Sequence, residues 1–201
     1  MSTGGFDPKK HHRRSIRLKG YDYSGEGLYS VTICTHDREC VLGEIKDGRM
    51  VLSRFGEIAR RCWDEIPGHF GCVGLDEHVI MPNHMHGVIL LRDISGRDEV
   101  TCRDEVTSSL QEYDLETKPQ RLFTIQRPTL GQIVAFYKYR STKLINEMRN
   151  APGTRFWQRN YYEHIIRNGN DLDRIRKYIM DNVAKWSEEN DNPENEPLKS
   201  S

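Results

Sequence analysis

Two histidines one residue apart open the most constraining stretch of the chain, Pro82-Asn83-His84-Met85-His86-Gly87-Val88-Ile89-Leu90-Leu91. The β-branched, apolar run after them demands an interior strand anchored in a core. Residues i and i+2 of a strand project from the same face, so the imidazoles of His84 and His86 emerge side by side, with Met85 and Val88 expected to face the other way. Two such nitrogens can chelate one divalent ion. Gly87 is expected to leave room beside them for another backbone or for a ligand. Taken alone, the triplet reads equally as two hydrogen-bonded, silent histidines of a half-buried strand.

The rest of the pattern supplies a scaffold. Leu28-Tyr29-Ser30-Val31-Thr32-Ile33-Cys34-Thr35 alternates as a strand, and a small ribbon follows, with turns after Thr35 and at Asp47-Gly48. Ser53 offers an N-cap to a helix carrying Phe55, Ala59, Cys62, Trp63 and Ile66, which Pro67-Gly68 should stop. Val73 to Met81 reads as a strand that Pro82-Asn83 turns into the histidine strand as a hairpin. Thr129 and Gln132 form a capping box for a helix whose inner face runs from Leu130 through Tyr137 to Met148. Phe156 to Ile166 reads as an aromatic, β-branched strand. Asn170 is expected to cap a last helix with Leu172, Ile175, Ile179, Val183 and Trp186 on its inner face. The order β-α-β-β-α-β-α predicts an α+β fold: a ferredoxin-like split βαβ antiparallel sheet with helices on one face, plus an extra C-terminal helix.

Length and charge set the organisation around that scaffold. The 201 residues suffice for one domain with a proper core, and the mean hydropathy of −0.75 places that core inside a strongly polar surface. Residues 1–20 form a basic arm, 21–187 the domain and 188–201 an acidic tail expected to be disordered. A flexible insertion at about 92–127 repeats Arg97-Asp98-Glu99-Val100-Thr101 as Arg103-Asp104-Glu105-Val106-Thr107. Five cysteines (Cys34, Cys40, Cys62, Cys72, Cys102) with no CxxC pair argue against a disulfide framework and a structural zinc site. With no signal-type segment and no long apolar run, a cytoplasmic protein with no membrane partner is expected. The formal net charge is zero, yet cations crowd the arm and the later half of the chain while acids gather in the tail. A neutral total can therefore conceal a basic face suited to phosphates.

On the last helix, Arg174, Tyr178 and Asn182 are spaced i, i+4, i+8 and stack as one outward stripe. If that helix crosses the sheet near the histidines, the site contains two imidazoles, an amide oxygen and a phenol. Imidazole and amide oxygen leave a divalent ion open positions for phosphate oxygens, and a nearby phenol can attack the phosphorus. The alternative is a rim tyrosine of a packed helix. His164, in the aromatic strand, reads either as an auxiliary ligand or phosphate contact or as a structural histidine. His78 and His36 are not placed by the pattern. The aromatics from Trp157 to Tyr162 serve either base stacking or core packing.

Tyr178-Ile179-Met180-Asp181-Asn182 together with His84-Met85-His86 resembles the single-tyrosine HUH transposases of insertion-sequence type, and more closely the REP-associated tyrosine transposases. Further matches are Ser15-Ile16-Arg17-Leu18, Gly20-Tyr21-Asp22-Tyr23, Thr32-Ile33-Cys34-Thr35-His36, Met81-Pro82-Asn83 and the run Trp157 to Arg167. The resemblance covers most of residues 13 to 187 apart from the insertion. It implies that His84 and His86 bind a divalent metal, Mg2+ or Mn2+, that Asn182 completes the site where related enzymes use glutamine, and that Tyr178 is the nucleophile. It implies cleavage and rejoining of single-stranded DNA at palindromic hairpins through a 5′-phosphotyrosine link. Arg13, Arg14, Arg17, Lys138, Arg140 and Arg159 are its candidate DNA contacts, with the protein working as a monomer or homodimer. One departure is Val183, where the family commonly has proline; valine lets the helix continue. The rival reading is a non-catalytic or domesticated DNA- or RNA-binding protein on the same fold.

Overall fold

The computed structural model describes residues 21–92, 127–188 and 192. The basic arm with Arg13, Arg14 and Arg17, the repeated segment with Cys102, and the tail from 189 on, Asn192 excepted, lie outside the described residues. Strand β1 (Gly27–Cys34) leads into a ribbon of β2 (Gly43–Lys46) and β3 (Arg49–Leu52), then helix α1 (Arg54–Asp64) and a helical turn α2 (Ile66–His69). The hairpin of β4 (Val73–Ile80) and β5 (His84–Leu91) follows, then helix α3 (Leu130–Met148), strand β6 (Tyr162–Ile166) and helix α4 (Gly169–Lys185). The main sheet has the order β4-β5-β1-β6, every neighbouring pair antiparallel. Its central pair is formed by the first and third principal strands, as the split βαβ pattern requires.

Local chemistry explains most boundaries. Asp47 and Gly48 both take positive φ, 50° and 70°, so the ribbon closes on the two-residue turn whose twist suits flanking strands. The Ser53 hydroxyl accepts from the Gly56 N–H, a cap worth about 1 kcal/mol, and Thr129 and Gln132 cap α3 reciprocally.

Three boundaries differ from the sequence expectation. Helix α1 ends at Asp64, and Pro67 sits near the start of the separate turn α2, where its missing N–H leaves no hydrogen bond unmade. The aromatic strand begins only at Tyr162: Phe156 and Trp157 are buried beside the end of β1, and the Trp157 indole N–H donates to the Ser141 hydroxyl at 2.9 Å. Asn168, not Asn170, caps α4, its side-chain oxygen accepting from the Asp171 N–H.

Helices α1 and α3 cover one face of the sheet. There Tyr29, Val31 and Ile33 of β1 and Met85, Ile89 and Leu91 of β5 meet Ala59, Cys62, Trp63, Ile133, Val134 and Tyr137, all buried. A Cβ on Gly87 would stand 2.3 Å from Cζ2 of Trp63, so the glycine admits this indole and offers no room to a ligand. Helix α4 covers the opposite face, where Leu172, Ile175 and Ile179 pack on Leu28, Val79, Val88 and Ile166. Val88 therefore shares the face of His84 and His86, as residue i+4 of a strand must, and only Met85 turns away. Among the described residues no helix is long and apolar enough to cross a membrane.

Candidate metal and nucleophile site

At the start of β5 the hairpin turn and strand β1 hold the two imidazoles. The Asn83 side-chain amide donates to the Arg38 carbonyl, leaving its oxygen to accept from Nδ1 of His84 at 2.8 Å. Nδ1 of His86 pairs with the Thr32 hydroxyl at 2.7 Å, Thr32 being its cross-strand neighbour in β1. With both Nδ1 atoms engaged, the Nε2 atoms face each other at 3.0 Å. Burial holds His84 down to about 3, helped by His86 and Arg38, and burial alone holds His86 down to about 4. At neutral pH both rings are uncharged; the bond to Asn83 leaves Nε2 of His84 a lone pair, and Nε2 of His86 carries one when its Nδ1 donates to Thr32.

That separation suits a proton shared between the two nitrogens or a cation held by both. Adjacent ligands at a right angle on an ion bound at about 2.1 Å stand about 3.0 Å apart, so the pair fits a divalent metal.

Helix α4 brings the other donors. Tyr178, Asn182 and Trp186 follow one another at four-residue steps, and the rings of Tyr178 and Trp186 lie 5.2 Å from His86 and 6.0 Å from His84. Asn182, between them along the helix, has no solvent exposure, and among the described residues its Oδ1 has no hydrogen-bond partner. A buried, unpaired carbonyl costs about 1–3 kcal/mol, a cost that coordination to a cation would remove. Its amide donates weakly to the Tyr178 carbonyl at 3.5 Å. Among the described residues no three His, Cys, Asp or Glu side chains converge on one point, so this donor set is neutral throughout. Neutral donors leave the charge of a bound ion undiminished for a phosphate.

The Tyr178 hydroxyl stands 3.5 Å from Nε2 of His86 of the same chain, and the side chain is 47% exposed. The stripe expected to face outward thus grades from exposed Arg174 through half-exposed Tyr178 to buried Asn182. Arg176 fastens it there with two bonds to the Asp76 carboxylate, 2.8 and 2.6 Å, at the bulge of β4. The guanidinium holds the Asp76 carboxyl below its ordinary range.

The remaining sequence-predicted residues lie elsewhere. Lys138 and Arg140 belong to α3, in the helix layer across the sheet from the histidines. Lys138 donates to the Gln158 and Asn160 carbonyls, burial lowering its ammonium to about 8, and Arg140 pairs with Glu65 at 2.8 Å. Arg159 is exposed just beyond Gln158, whose N–H bonds to Cys34 at the end of β1. His78 packs toward Trp63 on the far face, and His36 lies in a surface turn. Sequence reasoning missed Thr32 and Asn83; the Pro82-Asn83 turn pointed at the second, but only strand register identifies the first.

No family model matches the chain. It is 37% identical over 180 residues to an uncharacterized protein of Haemophilus influenzae, spanning 89% of this chain and 92% of that one. Its fold is similar to that of a REP-associated tyrosine transposase solved bound to a REP hairpin, with a TM-score of 0.52, 16% identity, and coverage of 84% of this chain and 73% of the other. The chain therefore belongs to one family with the Haemophilus influenzae protein, on a fold that the REP-associated tyrosine transposase shares.

Proposed function

We propose that this protein is a tyrosine transposase of the REP-associated type, which cleaves and rejoins single-stranded DNA at hairpins through a 5′-phosphotyrosine link. The observation that carries the reading is a half-exposed phenol 3.5 Å from one imidazole of a buried pair, with a buried, unpartnered carboxamide oxygen one helical turn further along the same helix. Nε2 of His84, Nε2 of His86 and Oδ1 of Asn182 would hold Mg2+ or Mn2+. When bound, the ion supplies positive charge to the non-bridging oxygens of the scissile phosphate.

The chain's own groups do the rest. The Tyr178 oxygen bonds to phosphorus as the bond from phosphorus to the 3′ oxygen breaks. The phenol proton passes to solvent, which Tyr178 reaches, and the 3′ oxygen takes up a proton and leaves as a hydroxyl. The phosphotyrosine conserves the bond energy, so a 3′-hydroxyl can reverse the step with no nucleotide cofactor. Thr32 and Asn83 keep the imidazoles in the tautomer that frees both Nε2 atoms. Because Tyr178 reaches His86 of its own chain, one copy completes the site, which favours a working monomer. Duplex contacts are assigned to exposed Arg159 and to the arm residues Arg13, Arg14 and Arg17, with Lys138 and Arg140 serving mainly to brace α3.

The test incubates the protein with a single-stranded hairpin oligonucleotide and Mn2+ or Mg2+ and looks for a covalent adduct on a denaturing gel. Wild type should form it, and Tyr178→Phe and His84→Ala should not. An adduct with Tyr178→Phe would overturn the assignment.

A further inference from the structure

Beside the site, one corner of the sheet is left open. Antiparallel ladder partners share a face, so Tyr162 of β6, Thr32 of β1 and His86 of β5 form one row on the side that α4 covers. His164, Ser30 and Val88 form the next row. The apolar residues of α4 lie over Leu28, Val79, Val88 and Ile166, leaving Tyr162 50% exposed on an edge strand. Tyr162 stands two strand spacings from His86, about 10 Å, within reach of the nucleotide next to one whose phosphate sits at Tyr178.

The border of this corner is polar and ordered. Asp171, whose side chain is 13% exposed, accepts from Nε2 of His164 at 2.9 Å, from the Arg174 guanidinium and from the Arg167 N–H. Arg174 lies one helical turn before Tyr178 and is 74% exposed. A carboxylate that is itself shielded thus fixes two nitrogen-bearing side chains at the rim, with their outer faces toward solvent.

We propose that Tyr162, His164 and Arg174 form a shelf that binds the nucleotide flanking the scissile phosphate of a single-stranded nucleic acid. The base lies on the Tyr162 ring, and Arg174 with His164 holds the flanking phosphate. An exposed aromatic on a sheet face stacks any base, and a single cation tracks the backbone, so the shelf grips single strands without reading sequence. This inference rests on the transposase reading for its substrate, and it assigns residues that the chemistry itself does not use.

The test measures fluorescence anisotropy of a labelled oligothymidylate on the full chain in EDTA, where no cleavage competes. Tyr162→Ala should weaken binding about tenfold, whereas Tyr162→Phe, which keeps the ring, should bind within twofold of wild type. Arg174→Ala should weaken binding several-fold and reduce the slope of log affinity against log salt by about 0.7, the loss of one phosphate contact. Arg60→Ala, an exposed cation on α1 across the sheet, should bind like wild type. Thermal melts identify any variant that fails to fold; if Tyr162→Ala does, Tyr162→Leu, which fills the site without a ring, takes its place and should also weaken binding about tenfold. Failure of the wild type to bind, or unchanged binding by folded Tyr162→Ala and Arg174→Ala, overturns the shelf. An adduct that persists with Tyr178→Phe while these variants lose binding would instead sink the chemistry and leave the shelf standing.

Discussion

The two faces of the main sheet are cut from the same strands and bury opposite kinds of matter. Under α1 and α3, Met85, Gly87 and Ile89 of β5 enter a continuous apolar core in which Trp63 and Tyr137 meet edge to face at 5.5 Å. Under α4, Val88 of the same strand joins a much smaller apolar cluster, and His84 and His86 lie beneath the helix that carries Asn182, whose buried oxygen has no partner among the described residues. One face supplies the favourable burial, and the surplus lets the other keep polar groups that cost stability. The proposed site lies where the fold depends least on packing.

Four measurements would break or sharpen that contrast. The largest effect should come from Tyr178→Phe, which abolishes the DNA adduct yet shifts stability by less than about 0.5 kcal/mol, since the exposed hydroxyl gives up only a long 3.5 Å contact with His86. A thermal melt beside the adduct gel checks both halves. A melting point that fell together with the adduct would show that the phenol belongs to the packing and not to the chemistry.

Acid should act next, and through the polar face alone. His84 and His86 titrate near 6.5 when unfolded and at about 3 and about 4 when folded, so below pH 6.5 the unfolded chain binds more protons. Their contribution is fully present above pH 6.5 and is lost as pH falls, at a slope approaching about 2.7 kcal/mol per pH unit for two protons. Denaturant melts from pH 7 to pH 4.5 would show the slope, and His84→Gln with His86→Gln should flatten it. A wild-type stability independent of pH over that range would contradict the burial of neutral imidazoles.

Gly87→Val strikes the other face. Its Cβ would drive into the Trp63 ring, costing about 3 kcal/mol and lowering the melting temperature by roughly 10 °C. The smallest effect separates the two faces most cleanly. Asn182→Leu removes an unpaired buried oxygen, so the metal-free protein should gain about 1 kcal/mol, while the rise in melting temperature produced by Mn2+ disappears. A destabilised metal-free variant would mean that the oxygen has a partner in the protein itself.

Much of the architecture was legible because it is written in short periods. The capping box at Thr129 and Gln132, the Asp47-Gly48 turn and the i, i+4, i+8 stripe of α4 are all local patterns, and each element formed where its pattern lay. The misreadings fall where a local signal had two equivalent bearers or a partner far away. Asn168 and Asn170 are both competent caps two residues apart, and which one serves depends on where β6 ends. Gly87 marks a close approach, but only the position of α1 shows that an indole fills it.

By itself, then, the sequence determined the strands, the helices, the side-by-side histidines and the phenol and carboxamide on one stripe, since each of these follows from periodicity within about a dozen residues. Tertiary structure alone decided that Thr32 orients His86 from 54 residues away, that α4 sinks Asn182 while leaving Tyr178 and Arg174 in reach of solvent, and that all of them share one face. Strand register and helix tilt are set by the summed packing of two layers, and no short stretch of chain encodes that sum.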